Sequence, residues 1–317
     1  MTHTTVLSFD VEEHYRIEAA AGMTCSASQI SNYRDRACSS TRRLLDILAD
    51  TQCHATFFMV GELAVKCPDL VREIHDSGHE VASHGWDHRP ATRLTPTGFR
   101  DDVTKCKDAL EQIIGGPVHG YRAPTFSIMK ETAWAIDELI EAGYTYDSSI
   151  FPVHHDRYGV ADAPTKPFRC YGRHEQLGII ELPPLTLRTG FANIPIGGGG
   201  YFRLFPLTFL KAAIWFNRGQ VPAVAMLYFH PWEFDPRQPK LPLKTTNRWR
   251  TYVGIRRSES RLKQILQQFT SITQFRSAID VVRELKSDQL LEYRLGQTAS
   301  PPVDGMSQAR LEQAYTN

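Results

Sequence analysis

Strand-like apolar runs alternate with stretches of helical period through the first half of this chain, and no other feature limits the fold as much. Val6-Leu7-Ser8-Phe9 reads as a short buried strand. Thr41 to Asp50 has helical period through Leu44, Leu45, Ile47 and Leu48, with Ser39 or Ser40 as N-cap. Ala55 to Val60 is a second strand, Pro68 to Ser77 a helix stopped by Gly78, and Glu80 to Ser83 a third strand. Thr97 to Ile114 is a long amphipathic helix, Val118 to Tyr121 a strand, and Lys130 to Ala142 a helix closed by Gly143. The alternation resumes with strands at 179–182 and 223–229 and helices near 206–216 and 256–269. Such a pattern predicts an α/β fold with a parallel sheet of βα units, whose sites lie at the carboxyl ends of the strands.

The residues at those strand ends carry the chemistry. The first strand runs into Asp10-Val11-Glu12-Glu13, and the third delivers Ser83-His84-Gly85-Trp86-Asp87-His88. Two imidazoles four residues apart can converge on one ion. With one carboxylate they form a set that holds Zn²⁺ and leaves a position open for water, which is hydrolytic chemistry. Residues two apart on a strand share a face. Glu12 therefore points with Asp10, while Glu13 points away and Val11 cannot bind metal.

Bulk properties exclude several classes. The chain has 317 residues, 42% hydrophobic and 22% charged, with a formal net charge of +1. Mean hydropathy is -0.33. Nothing in the overall charge calls for nucleic acid or an anionic membrane as a partner. No apolar run approaches the ~20 residues of a membrane-spanning helix. The first residues lack a basic region, and Asp10 interrupts the apolar stretch that follows, so no signal peptide is predicted. The expected location is cytoplasmic, at most peripheral to membrane-bound glycan assembly. Six cysteines at 25, 38, 53, 67, 106 and 170 form no CxxC and read as reduced.

Four pieces stand out in order: Phe9-Asp10-Val11-Glu12; Ser83-His84 to His88; Tyr121-Arg122-Ala123-Pro124-Thr125-Phe126; and Tyr146-Asp147-Ser148-Ser149 with Leu227-Tyr228-Phe229-His230-Pro231-Trp232-Glu233. Over roughly residues 4–285 they resemble the polysaccharide deacetylase family, the NodB-homology or carbohydrate esterase 4 group. A closer resemblance is to an exopolysaccharide-associated bacterial subgroup. It rests on Asp-Val-Glu, Asp147 to Pro152, His155 to Gly159, Gly197 to Arg203 and His230 to Glu233.

The resemblance implies a deformed (β/α) barrel with an Asp-His-His metal centre. It implies that Asp10 is the general base, His84 and His88 the imidazole ligands, and Arg122 the residue that holds the base. It further implies an oxyanion contact from the Thr125 N–H, His230 as general acid, and Asp147 as the partner of His230. This chain departs from the family at Val11, where the usual motif has a second aspartate. Related members with Asp-x-Asp or Asp-x-Glu spacing put Glu12 in that role. The metal expected is Zn²⁺, with Co²⁺ and Ni²⁺ as alternatives.

The implied activity is removal of an N-acetyl group from an amino sugar, in a polysaccharide or a lipid-linked precursor. Two rival readings are a hydrolase of a small amide, cyclic imide or formamide, and a carbohydrate-binding relic without metal. Trp86, Tyr201 and Trp232 are candidates to stack on sugar rings, with core packing as the rival. His154 and His155 either line a groove or stand on an exposed loop. Residues 1–287 are expected to form one domain, with irregular insertions at 151–175 and 190–200. Gly197 to Gly200 reads as a flexible loop, and 288–317 as a poorly ordered tail.

Overall fold

The computed structural model describes residues 3–155, 157–173, 177–188, 192–217, 219 and 222–296. In chain order, strand β1 (Thr4–Val11) is followed by α1 (Ala27–Thr51), β2 (Thr56–Met59), α2 (Gly61–Lys66), α3 (Pro68–Asp76) and β3 (Glu80–Ser83). Then come α4 (Pro96–Ile114), β4 (Gly120–Tyr121), α5 (Trp134–Glu141), β5 (Tyr146–Asp147), β6 (Phe168–Tyr171) and β7 (Gly178–Glu181). A small hairpin, β8 (Thr186–Arg188) and β9 (Asn193–Pro195), precedes α6 (Gly199–Leu204), α7 (Leu207–Asn217) and β10 (Val224–Phe229). The remaining elements are α8 (Thr245–Tyr252), α9 (Ser258–Gln268), β11 (Gln274–Arg276), α10 (Ala278–Glu284) and β12 (Leu291–Arg294).

The main sheet runs β10-β1-β2-β3-β4-β5-β7-β6-β12, with β11 pairing β1 as well. Its pairs are parallel except β6 with β7. The sheet curls into a half-barrel, and backbone rather than a regular strand closes it. Leu182 N–H donates to the Asp147 carbonyl beside β5, and Leu185 N–H donates to Met226 of β10, each at 2.9 Å. Period-2 alternation decides what each strand presents. On β1, Leu7, Phe9 and Val11 join the cluster under the helices, while Val6 joins an inner cluster with Phe58, Ala82, Tyr146, Leu182 and Met226. Val11 is fully buried on the helix side, and Asp10 is carried to the other face.

Several boundaries differ from expectation. Helix α1 starts at Ala27, well before Thr41, because Ser26 and Gln29 form a capping box and Tyr33, Ala37 and Cys38 are buried along the added turns. That segment is too polar for hydrophobic period alone to find. The chain also stays in the sheet past residue 287, since Leu291–Arg294 pairs with Phe168–Tyr171. The expected tail is thus structured to 296, and 297–317 lies outside the described residues, as does Asp156. The span 151–175 contains β6, an ordered strand.

The Gly197–Gly200 run is likewise ordered. Gly197 N–H donates to Leu185, and Gly199 opens α6 where a Cβ would lie 2.0 Å from the Glu233 carboxylate. These glycines let the backbone approach a buried side chain, a need that sequence reads only as slack.

Candidate metal and catalytic site

Four strand ends converge at the mouth of the half-barrel. From β1 come Asp10 and Glu12, both buried and on one face. After β3, His84 is buried, and Gly85 (φ 74°) turns the chain back so that His88 can return toward it. His88 itself adopts φ 64°, a left-handed conformation uncommon for a non-glycine residue and held where the surrounding structure over-determines it.

One ligand atom each from Glu12, His84 and His88 lies within 4.8 Å of the others. His88 Nε2 is 2.5 Å from Glu12 Oε2. The Nδ1–H of His84 donates to the Arg122 carbonyl at 2.8 Å, an acceptor-only partner that fixes the tautomer and leaves the Nε2 lone pair free. Burial, above all, lowers the His84 pKa to about 4, so this imidazole is neutral near pH 7. Burial alone would raise Glu12, yet His88, and then His230 and His84, hold its carboxyl well below the usual carboxylate range. Glu12 Oε2 is buried with His88 Nε2 as its ion-pair partner, while the Trp232 Nε1–H donates to Oε1 at 3.2 Å. A buried carboxylate oxygen and two imidazoles gathered this closely are the donor set a divalent cation satisfies, so these three residues fit a metal.

Arg122 is fully buried inside the half-barrel, its guanidinium 4.1 Å over the Phe58 ring. It donates from Nη1 to Asp10 Oδ1 at 2.6 Å and to Ser8 Oγ at 2.9 Å. It also donates from Nη2 to Ser148 Oγ at 2.9 Å and from Nε to the Ser148 carbonyl at 3.1 Å. Asp10 therefore has one oxygen tied down and the other facing the cavity.

His230 lies across from it, with Nε2 3.9 Å from Asp10 Oδ2 and 3.8 Å from Glu12 Oε1. Its Nδ1–H donates to Glu233 Oε1 at 2.7 Å. Burial opposes the charge on His230, but the Glu233 hydrogen bond, then Glu12 and Asp10, push its pKa up to about 9. Glu233 in turn accepts from Arg203 Nε at 2.8 Å, and Arg203 donates to the Thr251 and Val253 carbonyls, each at 2.8 Å.

The partner of His230 is thus Glu233, and the assignment of Asp147 to that role is corrected. Glu233 stands one turn after His230 on Pro231–Phe234, and its carboxylate also accepts from the His230 backbone N–H. An acidic residue three positions after the cap is a capping-box spacing, the signal that could have found it. Asp147 sits instead in the barrel wall, register-paired with Glu181 of β7, and accepts from Ser149 Oγ at 2.5 Å. Both carboxyls are fully buried. Burial raises Glu181 well above the usual range and Asp147 to about 6, so the two share a proton.

The sign of the resulting pH dependence follows from these raised values. Above the ordinary carboxyl pKa the unfolded chain has released both protons while the folded pair keeps one, so stability falls as pH rises. Substituting Glu181→Gln should flatten the fall in melting temperature above about pH 5. Parallel curves for variant and wild type would refute the shared proton.

The cavity has a volume of about 270 Å³ and is lined by Asp10, Glu12, His84, His88, Thr125 and His230, with Arg203, Arg250 and Trp232 at its wall. Thr125 holds φ 58° and ψ 21°, rare for a β-branched residue. Two of the three predicted sugar platforms lie elsewhere. Trp86 is covered by Lys105, with Nζ 3.8 Å from the ring centroid, and packs so closely on Gly61 that a Cβ there would come within 2.7 Å of the ring. Tyr201 stacks on Phe205 and does not line the cavity. Trp232 does line it, but it is buried, stacks on His230 at 5.2 Å, and anchors Glu12. His155 stacks on Tyr158, and His154 lines a separate surface cavity.

A family model described as "Polysaccharide deacetylase" matches residues 32–146, and one described as a domain of unknown function, DUF3473, matches 148–279. Over 99 residues the chain is 28% identical to the peptidoglycan-N-acetylglucosamine deacetylase of Bacillus cereus, which covers 31% of this chain and 36% of that protein. The chain thus spans about a third of that relative's length. Two solved structures whose names place them among polysaccharide deacetylases share the fold. The Mycobacterium smegmatis protein has a TM-score of 0.57 and 18% identity, covering 95% of this chain and 96% of its own. The Pseudomonas aeruginosa PAO1 protein has a TM-score of 0.60 and 16% identity, covering 88% and 89%. The match to the polysaccharide deacetylase model covers about a third of the chain, and the solved structures show the α/β half-barrel fold it shares with them.

Proposed function

We propose that this protein is a metal-dependent hydrolase that removes N-acetyl groups from an amino sugar in a polysaccharide or a lipid-linked glycan precursor. The observation that carries the reading is the convergence of Glu12, His84 and His88 with the Asp10–Arg122 pair and the His230–Glu233 pair on one cavity. A sugar-binding relic has no use for an oriented acid opposite an oriented base.

Glu12, His84 and His88 would hold the ion. When bound, a divalent cation, Zn²⁺ before Co²⁺ or Ni²⁺, supplies Lewis acidity to the acetamide carbonyl and a water of lowered pKa. Asp10, immobilised by Arg122, takes the proton of the attacking water through its free Oδ2. His230, kept protonated by Glu233, delivers a proton from Nε2 to the departing amine. Thr125 offers its backbone N–H to the developing oxyanion. The exopolysaccharide subgroup suggested by the Asp-Val-Glu motif belongs to the same proposal.

The test is acetate release from N-acetylhexosamine oligomers and lipid-linked N-acetylated sugars by metal-loaded protein. Acetate and free amine in equal amounts are expected, and none from any of these substrates would overturn the reading. For the orientation of His230, Glu233→Gln should lower kcat by about 10²-fold with little change in KM. An unchanged kcat would remove Glu233 from the mechanism.

One observation favours a second reading. At about 270 Å³ the cavity is at the small end for ligand sites, which suits a small amide or cyclic imide. Turnover of such amides without turnover of any oligosaccharide would decide for it.

A further inference from the structure

Helix α7 is apolar on more than its inner side. Leu210, Ala213 and Ile214 are buried, yet Phe209, Trp215 and Phe216 are 55%, 53% and 62% exposed. Leu204 and Phe205, at the end of α6, are exposed as well, and Phe205 lies 6.1 Å from Phe209 between ring centroids. A soluble surface rarely leaves this many large apolar side chains together in water.

The neighbouring segment supplies charge of one sign. From Lys240 to Lys263 the chain carries eight Lys and Arg residues and a single carboxylate, Glu259, although the whole chain has a net charge of only +1. Trp249 of α8 is 58% exposed, between the exposed Arg248 and Arg250. Hydrogen bonds set these pieces side by side. Arg203 of α6 donates to the Thr251 and Val253 carbonyls at the end of α8, and Arg261 of α9 donates to the Phe202 and Phe205 carbonyls. Arg203, Arg250 and Thr251 also line the cavity that holds the metal ligands. The basic segment and the α6 end of the aromatic surface therefore border the mouth of the site, while Trp215 and Phe216 lie toward the other end of the barrel, where Asn217 meets His3 at the start of β1.

We propose that the surface formed by α6, α7, α8 and the Lys240–Lys263 segment docks on an anionic lipid bilayer, with the cavity mouth at the edge of the docked face. Charge complementarity selects this occupant. Trp and Phe rings settle at the bilayer interface, and Lys and Arg beside them meet headgroup phosphates. A second copy of the chain would bring eight cations against eight, with one carboxylate each to offset them. No helix of the described residues is long and apolar enough to cross a membrane, so this association is peripheral.

The test is flotation of the full chain with vesicles of phosphatidylcholine alone and of about seven parts phosphatidylcholine to three parts phosphatidylglycerol. Binding to the anionic vesicles is expected, weakened by added salt, with little binding to the neutral ones. The double variant R248E/R257E should bind at least about fivefold more weakly for each charge removed. The variants F209S/F216S and W249A should also bind more weakly while keeping the wild-type melting temperature and metal content. Failure to float with either vesicle would overturn the proposal, as would binding indifferent to both sets of substitutions. A concentration-dependent dimer that F209S/F216S dissociates, without lipid binding, would assign the patch to a second copy instead. Bilayer binding is measured without turnover, so its failure leaves the hydrolase reading intact.

Discussion

Replacing His84 with alanine should remove one equivalent of bound zinc and lower turnover by about a thousandfold, the several kcal/mol that a Lewis acid supplies. Glu12→Ala should do the same. Elemental analysis and acetate release, run on one preparation, check both. The more demanding form of the experiment moves the carboxylate by one residue. The common family motif carries its ligand at the position of Val11, so a sequence-based repair would be Val11→Asp with Glu12→Ala. Here that repair should fail. Val11 is fully buried in the cluster under the helices, on the opposite face of β1 from Asp10. An aspartate there would be an unpaired charge in an apolar layer, costing several kcal/mol. The variant should be destabilised and bind no metal. Zinc retained by Val11→Asp with Glu12→Ala would show that the register argument is wrong.

The second large effect concerns Arg122. Substituting Arg122→Met should destabilise the fold by about 3–5 kcal/mol, because Asp10 would be left buried without its partner. The cost exceeds that of a surface pair, which is about 0–1 kcal/mol, since the arginine is fully buried and serves Asp10, Ser8 and Ser148 at once. For a chain of this size the melting temperature should fall by roughly 4–8 °C. The double variant Arg122→Met with Asp10→Asn removes the stranded charge and should regain part of that loss. Thermal unfolding of the two single variants and the double variant gives the coupling directly. Additive losses would mean that Arg122 acts as packing alone and leaves Asp10 unheld.

What the linear order determined was local. Period-2 alternation placed Asp10 and Glu12 on one face and Val11 on the other. The strand before Ser83 and the glycine after His84 placed two imidazoles at a strand end. Most strand and helix positions followed from the same periodicity, except where a polar stretch hid the first turns of α1 behind a capping box. Tertiary structure alone decided which side chains meet across elements. Asp147 faces Glu181 because β5 and β7 are neighbours in register, and His230 takes Glu233 because that residue is one short turn away and Arg203 of α6 holds it. Trp86 and Tyr201 turned away from the cavity because other side chains cover them. Periodicity fixes the direction in which a side chain leaves its own strand or helix. The order and curl of the sheet fix what it finds there.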